Sequence, residues 1–232
     1  MTGIGIGESD FRGLITRDNY YIDKTMYIKD IIDNQSRVIL ITRPRRFGKT
    51  LNMSMLKYYF DCRQKDSKEL FKGLKIMSQE EKYTSKLGAY PVIYLTLKDV
   101  AENTYENMLL SLKTAILNMY KEHIYLLDSN KIYGFEKEKI ENVLYERENE
   151  NEIKTAIKEL SEYLNRYYEK PVILLIDEYD VPIQSAYVKG YYEETINFLK
   201  AFYRITFKDN PYLEKTVLTG VSRVAKESIF SG

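Results

Sequence analysis

An apolar run that stops at a polar loop carrying Gly-Lys-Thr, and continues at once as an amphipathic helix, leaves a chain few folds to choose from. Arg37 to Thr42, RVILIT, has the composition of a buried strand. Arg43 to Thr50, RPRRFGKT, is the loop. Thr50 to Asp61 reads as a helix with Leu51, Met55, Leu56, Tyr59 and Phe60 on one broad face. Strand, loop and helix in this order are the context a phosphate-binding loop requires. Gly48 lets the backbone approach an anion, and the amides that follow point at it from the helix N-terminus. Lys49 suits the β- and γ-phosphates of a nucleotide, and the Thr50 hydroxyl suits Mg2+. The tripeptide alone is a weak signal. The loop also departs from the common eight-residue pattern, because Arg43 stands where its first glycine is expected. Pro44 stiffens the turn. Arg43, Arg45 and Arg46 either add charge around the phosphates or project into water, and Phe47 and Leu51 complete the candidate nucleotide-binding segment.

A second motif strengthens the first. Val172 to Asp180, VILLIDEYD, is an apolar strand ending in adjacent carboxylates. Asp177 at the strand's carboxyl end suits a magnesium-bound water, and Glu178 suits polarisation of an attacking water. A buried strand meeting an ordinary polar loop is the plainer reading, but the two motifs together favour a nucleotide site. Asp180, just before Val181 and Pro182, reads as a turn or helix cap. A fourth strand ends in Thr219 to Arg223, TGVSR. Thr219 is the preferred γ-phosphate sensor there, with Ser222 as the alternative, and either hydroxyl can instead satisfy backbone groups. Arg223 is either an exposed structural arginine or a phosphate contact on the same or a neighbouring subunit.

Between these motifs the chain alternates strand and helix. Helices are expected within Tyr20 to Asn34, from Thr104 to Leu127, from Glu152 to Tyr168 and from Tyr192 to Phe207; a further strand is expected at Pro91 to Leu97. Such alternation implies an α/β fold with a mostly parallel sheet and helices on both faces. Asp128 to Glu150 is charged and reads as an exposed loop with a polar helix. The whole is read as one domain over residues 1–232, with a helical, charged insertion at about 100–170.

Composition limits the alternatives. With 44% hydrophobic and 30% charged residues the chain is an ordinary globular one. Lys+Arg 35 against Asp+Glu 34 gives +1, so no overall field draws it to nucleic acid or anionic lipid. One cysteine, Cys62, and one histidine, His123, make neither an internal disulfide nor a usual zinc cluster, and a reducing cytoplasm fits. His123 falls on the apolar stripe of Leu112, Ile116 and Met119 and is given no chemistry. The 22 tyrosines are scattered and form no stacking motif. No apolar run approaches the ~20 residues of a membrane helix.

Four segments, NYYIDKT (Asn19 to Thr25), ITRPRRFGKTLNMSML (Ile41 to Leu56), LLIDEYD (Leu174 to Asp180) and LTGVSR (Leu218 to Arg223), give the chain a resemblance to a family of predicted bacterial and archaeal AAA-ATPase-like proteins. In that family arginine commonly takes the place of the first loop glycine. The resemblance implies a P-loop NTPase fold of the additional-strand, catalytic-glutamate type with sheet order 5-1-4-3-2, the strand ending at Thr219 lying between the P-loop strand and the acidic-pair strand. It also implies that Tyr21, Asp23 and Lys24 lie near the nucleotide base. Family members often continue into a helical lid and a PD-(D/E)XK nuclease-like domain, so the chain resembles an N-terminal part ending before its last strand.

The leading functional expectation is ATP hydrolysis with ATP and Mg2+ as cofactors. Lys49, Asp177, Glu178 and Thr219 are the catalytic candidates; Thr50 and Asp177 are the metal ligands. The alternative is a nucleotide-dependent switch with little hydrolysis of its own that controls an attached or partner nuclease-like domain. The expected partners are a nucleotide, that domain and a second copy of the chain. Nucleic-acid engagement through Arg43 to Arg46 ranks last, and no membrane is expected.

Overall fold

Successive side chains of a strand point to opposite faces, so continuous apolar runs bury both faces of a sheet. Residues 7–17 and 20–222 are described by a computed structural model of the chain. Strands β1 (Val38–Thr42), β2 (Val92–Thr96), β3 (Val172–Asp177) and β4 (Leu213–Gly220) form an all-parallel sheet in the order β1-β4-β3-β2. β4 therefore lies between β1 and β3, where the resemblance puts it. Every residue of β3 is buried. Its Val172, Leu174 and Ile176 enter one core and its Ile173 and Leu175 the other. Each such side chain contributes roughly 1.5–3 kcal/mol of hydrophobic stabilisation.

The helices divide between the two faces. α1 (Phe11–Thr16), α2 (Met26–Asp33), α3 (Lys49–Phe60), α4 (Ser67–Leu70) and α5 (Glu81–Thr84) share a core with Ile39, Val92 and Val217. α6 (Tyr105–Lys121), α7 (Gly134–Leu144), α8 (Glu150–Tyr168), α9 (Val181–Lys189) and α10 (Tyr192–Phe207) cover the other face, against Ile93, Leu95 and Leu218. α8 starts at a capping box in which Asn149 accepts from the Asn151 and Glu152 amides while Glu152 accepts from the Asn149 amide. Gly190, at φ 87, ends α9 in the left-handed conformation that glycine adopts without strain. No helix among the described residues is long and apolar enough to cross a membrane.

Three local expectations change. The helix expected to run to Leu127 ends at Lys121, and a 3-10 turn, Ile124–Asp128, follows. Arg63 donates to the Glu122 carbonyl at 2.7 Å and Lys57 binds the Glu122 carboxylate at 2.9 Å, so contacts from the end of α3 hold the chain out of helical geometry there. His123 thus lies beyond the helix, although buried as its apolar surroundings suggested; burial and then Arg63 push its pKa well below the usual value. The segment expected as exposed around α7 buries Ile132, Ile140 and Val143 in the larger core.

Short α1 has no strong sequence signal and is fixed by tertiary bonds. Asp10 caps it by accepting from the Gly13 amide at 2.8 Å, and its other oxygen accepts from the Ser54 and Tyr58 hydroxyls of α3 at 2.9 and 3.0 Å. Asp10→Ala is expected to cost about 2 kcal/mol, a lost cap plus two hydroxyls without their acceptor. Urea unfolding monitored by circular dichroism measures it; a loss below a few tenths of that figure would show that α1 does not dock through Asp10.

Candidate functional site

Parallel register brings the carboxyl ends of three strands together. Ile41 pairs with Thr219 and Thr42 with Gly220, while Ile176 pairs with Leu218. The ladder continues past the strands: the Arg43 amide donates to the Gly220 carbonyl at 3.1 Å and the Tyr179 amide to the Thr219 carbonyl at 3.0 Å. The loop after β1, the acidic pair after β3 and the turn after β4 thereby become neighbours, although more than a hundred residues of sequence separate the first two.

The loop has two left-handed residues, Arg46 at φ 66 and Gly48 at φ 72. At Gly48 this places the chain at the start of α3 with no side-chain cap and no acidic residue in the first turn. The orphan amides of that turn and the positive end of the helix dipole therefore face the loop uncompensated. Lys49 is buried, and its ammonium donates to the Arg43 and Pro44 carbonyls, both at 3.0 Å. Arg43, Pro44, Arg45, Arg46 and Phe47 are exposed; Thr50 and Leu51 are half-buried in the first turn of α3. Lys24 reaches the same place: a Cβ on Gly48 would lie 4.0 Å from its Nζ. Among the described residues none of Lys24, Arg43, Arg45, Arg46 and Lys49 makes an ion pair. These five cations concentrate positive charge at a bare helix N-terminus on a chain with a net charge of only +1.

Opposite stands the acidic pair. Asp177 is 1% exposed, and its Oδ1 accepts the Thr219 hydroxyl. Thr219 therefore orients a carboxylate, a partnership that its expected role as a direct phosphate sensor did not include. Glu178 is half-buried in a left-handed conformation, φ 55, which costs a non-glycine residue roughly 1 kcal/mol. Burial raises the Glu178 pKa above the usual carboxylate value; the Asp177 charge and that of Asp180 add to the rise, while Lys49 and Arg45 oppose it. A carboxyl group pushed toward neutrality is suited to proton transfer.

Other candidates divide. Asp180 stands at the N-cap position of α9, but its side chain makes no cap bond there. Its carboxylate turns to the end of β4 and accepts from the Val221 and Ser222 amides and the Ser222 hydroxyl, a correction to its reading as a simple turn or cap. The Asp23 carboxylate accepts from Thr25 and from the Lys75 amide at 2.8 Å, so it staples the entry to α2 onto the segment before α5. Tyr21 packs edge-on to Phe11. Arg223, like Asn19 and the chain end at Ser231 and Gly232, lies outside the described residues. Gly220 went unnoticed in the sequence; a Cβ there would meet Asp180 Oδ1 at 2.5 Å and Tyr179 at 2.6 Å, a crowding visible only once β3 and β4 are adjacent.

Asp177 and the Thr50 hydroxyl offer hard oxygen donors of the kind Mg2+ takes. Among the described residues no three His, Cys, Asp or Glu side chains gather as a metal group, so a Mg2+ here would complete its shell with phosphate oxygens and water.

Residues 4–230 match the family model described as "AAA-ATPase_like: Predicted AAA-ATPase". The chain is also 26% identical over 216 residues to a protein described as "Uncharacterized protein in vnfD 5'region" from Azotobacter chroococcum mcd 1; the match covers 93% of this chain and 36% of that relative, so the chain spans about a third of its length. No solved structure matches.

Proposed function

Since the chain belongs to the predicted AAA-ATPase family, we propose that it is an ATP-binding P-loop NTPase domain that hydrolyses ATP with Mg2+. The observation that carries the reading is the meeting, at the carboxyl ends of β1, β4 and β3, of an unpaired cationic loop with a buried aspartate and a half-buried glutamate of raised pKa. The amides at the start of α3 and the Lys49 ammonium hold the phosphates by charge-assisted hydrogen bonds. Thr50 and Asp177 would hold Mg2+, whose charge, when bound, offsets that on the phosphate oxygens. Thr219 keeps Asp177 in one orientation. Glu178 accepts a proton from water as the water oxygen bonds to the γ-phosphorus and the bond to the β–γ bridging oxygen breaks; the proton then passes to solvent.

The switch reading has an observation of its own. The Lys49 ammonium is bound to the carbonyls of its own loop, so phosphate entry exchanges two charge-assisted bonds and rearranges that loop. Such a rearrangement can be transmitted to an attached or partner domain without rapid hydrolysis.

Titration calorimetry with ATP, in Mg2+ and in EDTA, followed by inorganic phosphate release, separates the readings. Binding that strengthens with Mg2+ together with steady phosphate release supports the ATPase. Binding with negligible release supports the switch. Failure to bind in either condition overturns both.

A further inference from the structure

Asp180 is fully buried, and neither of the roles just assigned uses it. Its Oδ2 accepts four donors: the Val221 amide at 3.0 Å, the Ser222 amide at 2.7 Å, the Ser222 hydroxyl at 2.8 Å and Gln184 Nε2 at 2.5 Å. Its Oδ1 has no partner among the described residues and lies against Gly220, the one residue type whose lack of a Cβ allows that approach. Burying a carboxylate is costly unless donors surround it. Here every donor comes from the turn after β4 or from one side chain of α9. Tyr179 reinforces the contact through its hydroxyl, which donates to the Ser222 carbonyl at 2.9 Å, and through its amide on the Thr219 carbonyl.

Apart from the Gln184 bond, each of these bonds joins the segment after β3 to the end of β4. Thr219 lies inside the clamp, one residue before Gly220, and its hydroxyl meets Asp177. Gly220 in turn accepts the Arg43 amide, the first bond of the phosphate loop. The clamp thus sets the distance from Thr219 to Asp177, while the Arg43 bond continues the β1–β4 ladder, which does not involve Asp180.

We propose that Asp180 is a positioning residue: by binding the Val221 and Ser222 amides it fixes the end of β4 so that Thr219 holds Asp177 in the orientation that receives Mg2+. The inference rests on the nucleotide reading of the site. Asp180 itself touches no reacting atom. Its loss therefore acts on the metal side of the site and leaves phosphate contacts of Lys49 and the α3 amides in place.

The experiment uses the full chain and two variants. Asp180→Asn keeps the shape and removes the charge that the amides bind; Gly220→Ala keeps the charge and forces a methyl group into the space beside Oδ1. Three quantities are read: hydrogen exchange of the Val221 and Ser222 amides, ATP affinity in EDTA, and the Mg2+ concentration that half-saturates the strengthening of ATP binding. Either variant is expected to speed exchange of the two amides about tenfold, the loss of about one charge-assisted hydrogen bond. Mg2+ half-saturation should rise about fivefold or more, with ATP affinity in EDTA within about twofold of the unaltered chain. Unchanged Mg2+ half-saturation in both variants overturns the proposal. So does an ATP affinity in EDTA that falls as far as the affinity in Mg2+, because the damage would then be general. An unaltered chain that binds no ATP overturns the reading of the site itself, a result visible before either variant is measured.

Discussion

Glu178→Gln is expected to lower ATP turnover by about 10²–10⁴-fold while leaving ATP affinity within a few-fold, because glutamine keeps the shape and loses the proton acceptor. The same substitution is expected to raise thermal stability at neutral pH. Burial and the Asp177 charge raise the Glu178 pKa in the folded chain, so the fold favours the protonated acid. The stability this group contributes is fully present below its unfolded pKa and is lost as pH rises through the higher folded value. Glutamine removes that loss, so the gain appears above the folded pKa and disappears in acid. Melting curves of both chains across pH, together with phosphate release, check the two halves. Equal turnover would remove Glu178 from the base role, and a variant less stable at neutral pH would contradict the electrostatic account. In the unaltered chain the acid limb of turnover should lie above the usual glutamate range, for the same reason.

Lys49→Ala is expected to weaken ATP binding by about 100-fold or more. Removing a buried, hydrogen-bonded charge from an ionic contact costs about 3 kcal/mol. Fold stability should fall far less, by about 1 kcal/mol. The ammonium's two bonds in the protein are to the carbonyls of Arg43 and Pro44, residues exposed enough for water to replace them. Calorimetric titration and urea unfolding report the two effects separately. ATP affinity retained by a folded variant would contradict phosphate binding by Lys49, and a collapse of stability would mean that the lysine serves mainly to fold its own loop.

Much of this site is legible in the sequence because its chemistry is local. RVILIT followed by RPRRFGKT places a cationic loop before a helix start wherever that unit sits, and VILLIDEYD places two carboxylates at the end of a buried strand. The bounds of β1 and β2 fall within the expected segments, β3 runs on past the apolar stretch to end on Asp177, and β4, expected to end at Thr219, spans Leu213–Gly220. Other features depend on partners far away in the chain. α6 stops at Lys121 because Arg63 and Lys57 capture Glu122, and nothing in the apolar spacing near Lys121 encodes that. α1 forms on Asp10 because Ser54 and Tyr58 lie within reach. Asp180 resembles an ordinary cap before Val181 and Pro182, but its side chain accepts from Val221 and Ser222 in the turn after β4 instead of from the start of α9.

By itself, the sequence determined the approximate positions of the strands and of most of the longer helices, which loop carries the basic residues and which strand ends in acid, since periodicity and the conformational needs of glycine act over a few residues. The tertiary structure alone decided the pairings: Thr219 with Asp177, Asp180 with the Val221 and Ser222 amides, Gly220 with Arg43. Hydrogen bonds between strand ends exist only after the order β1-β4-β3-β2 has placed those ends side by side.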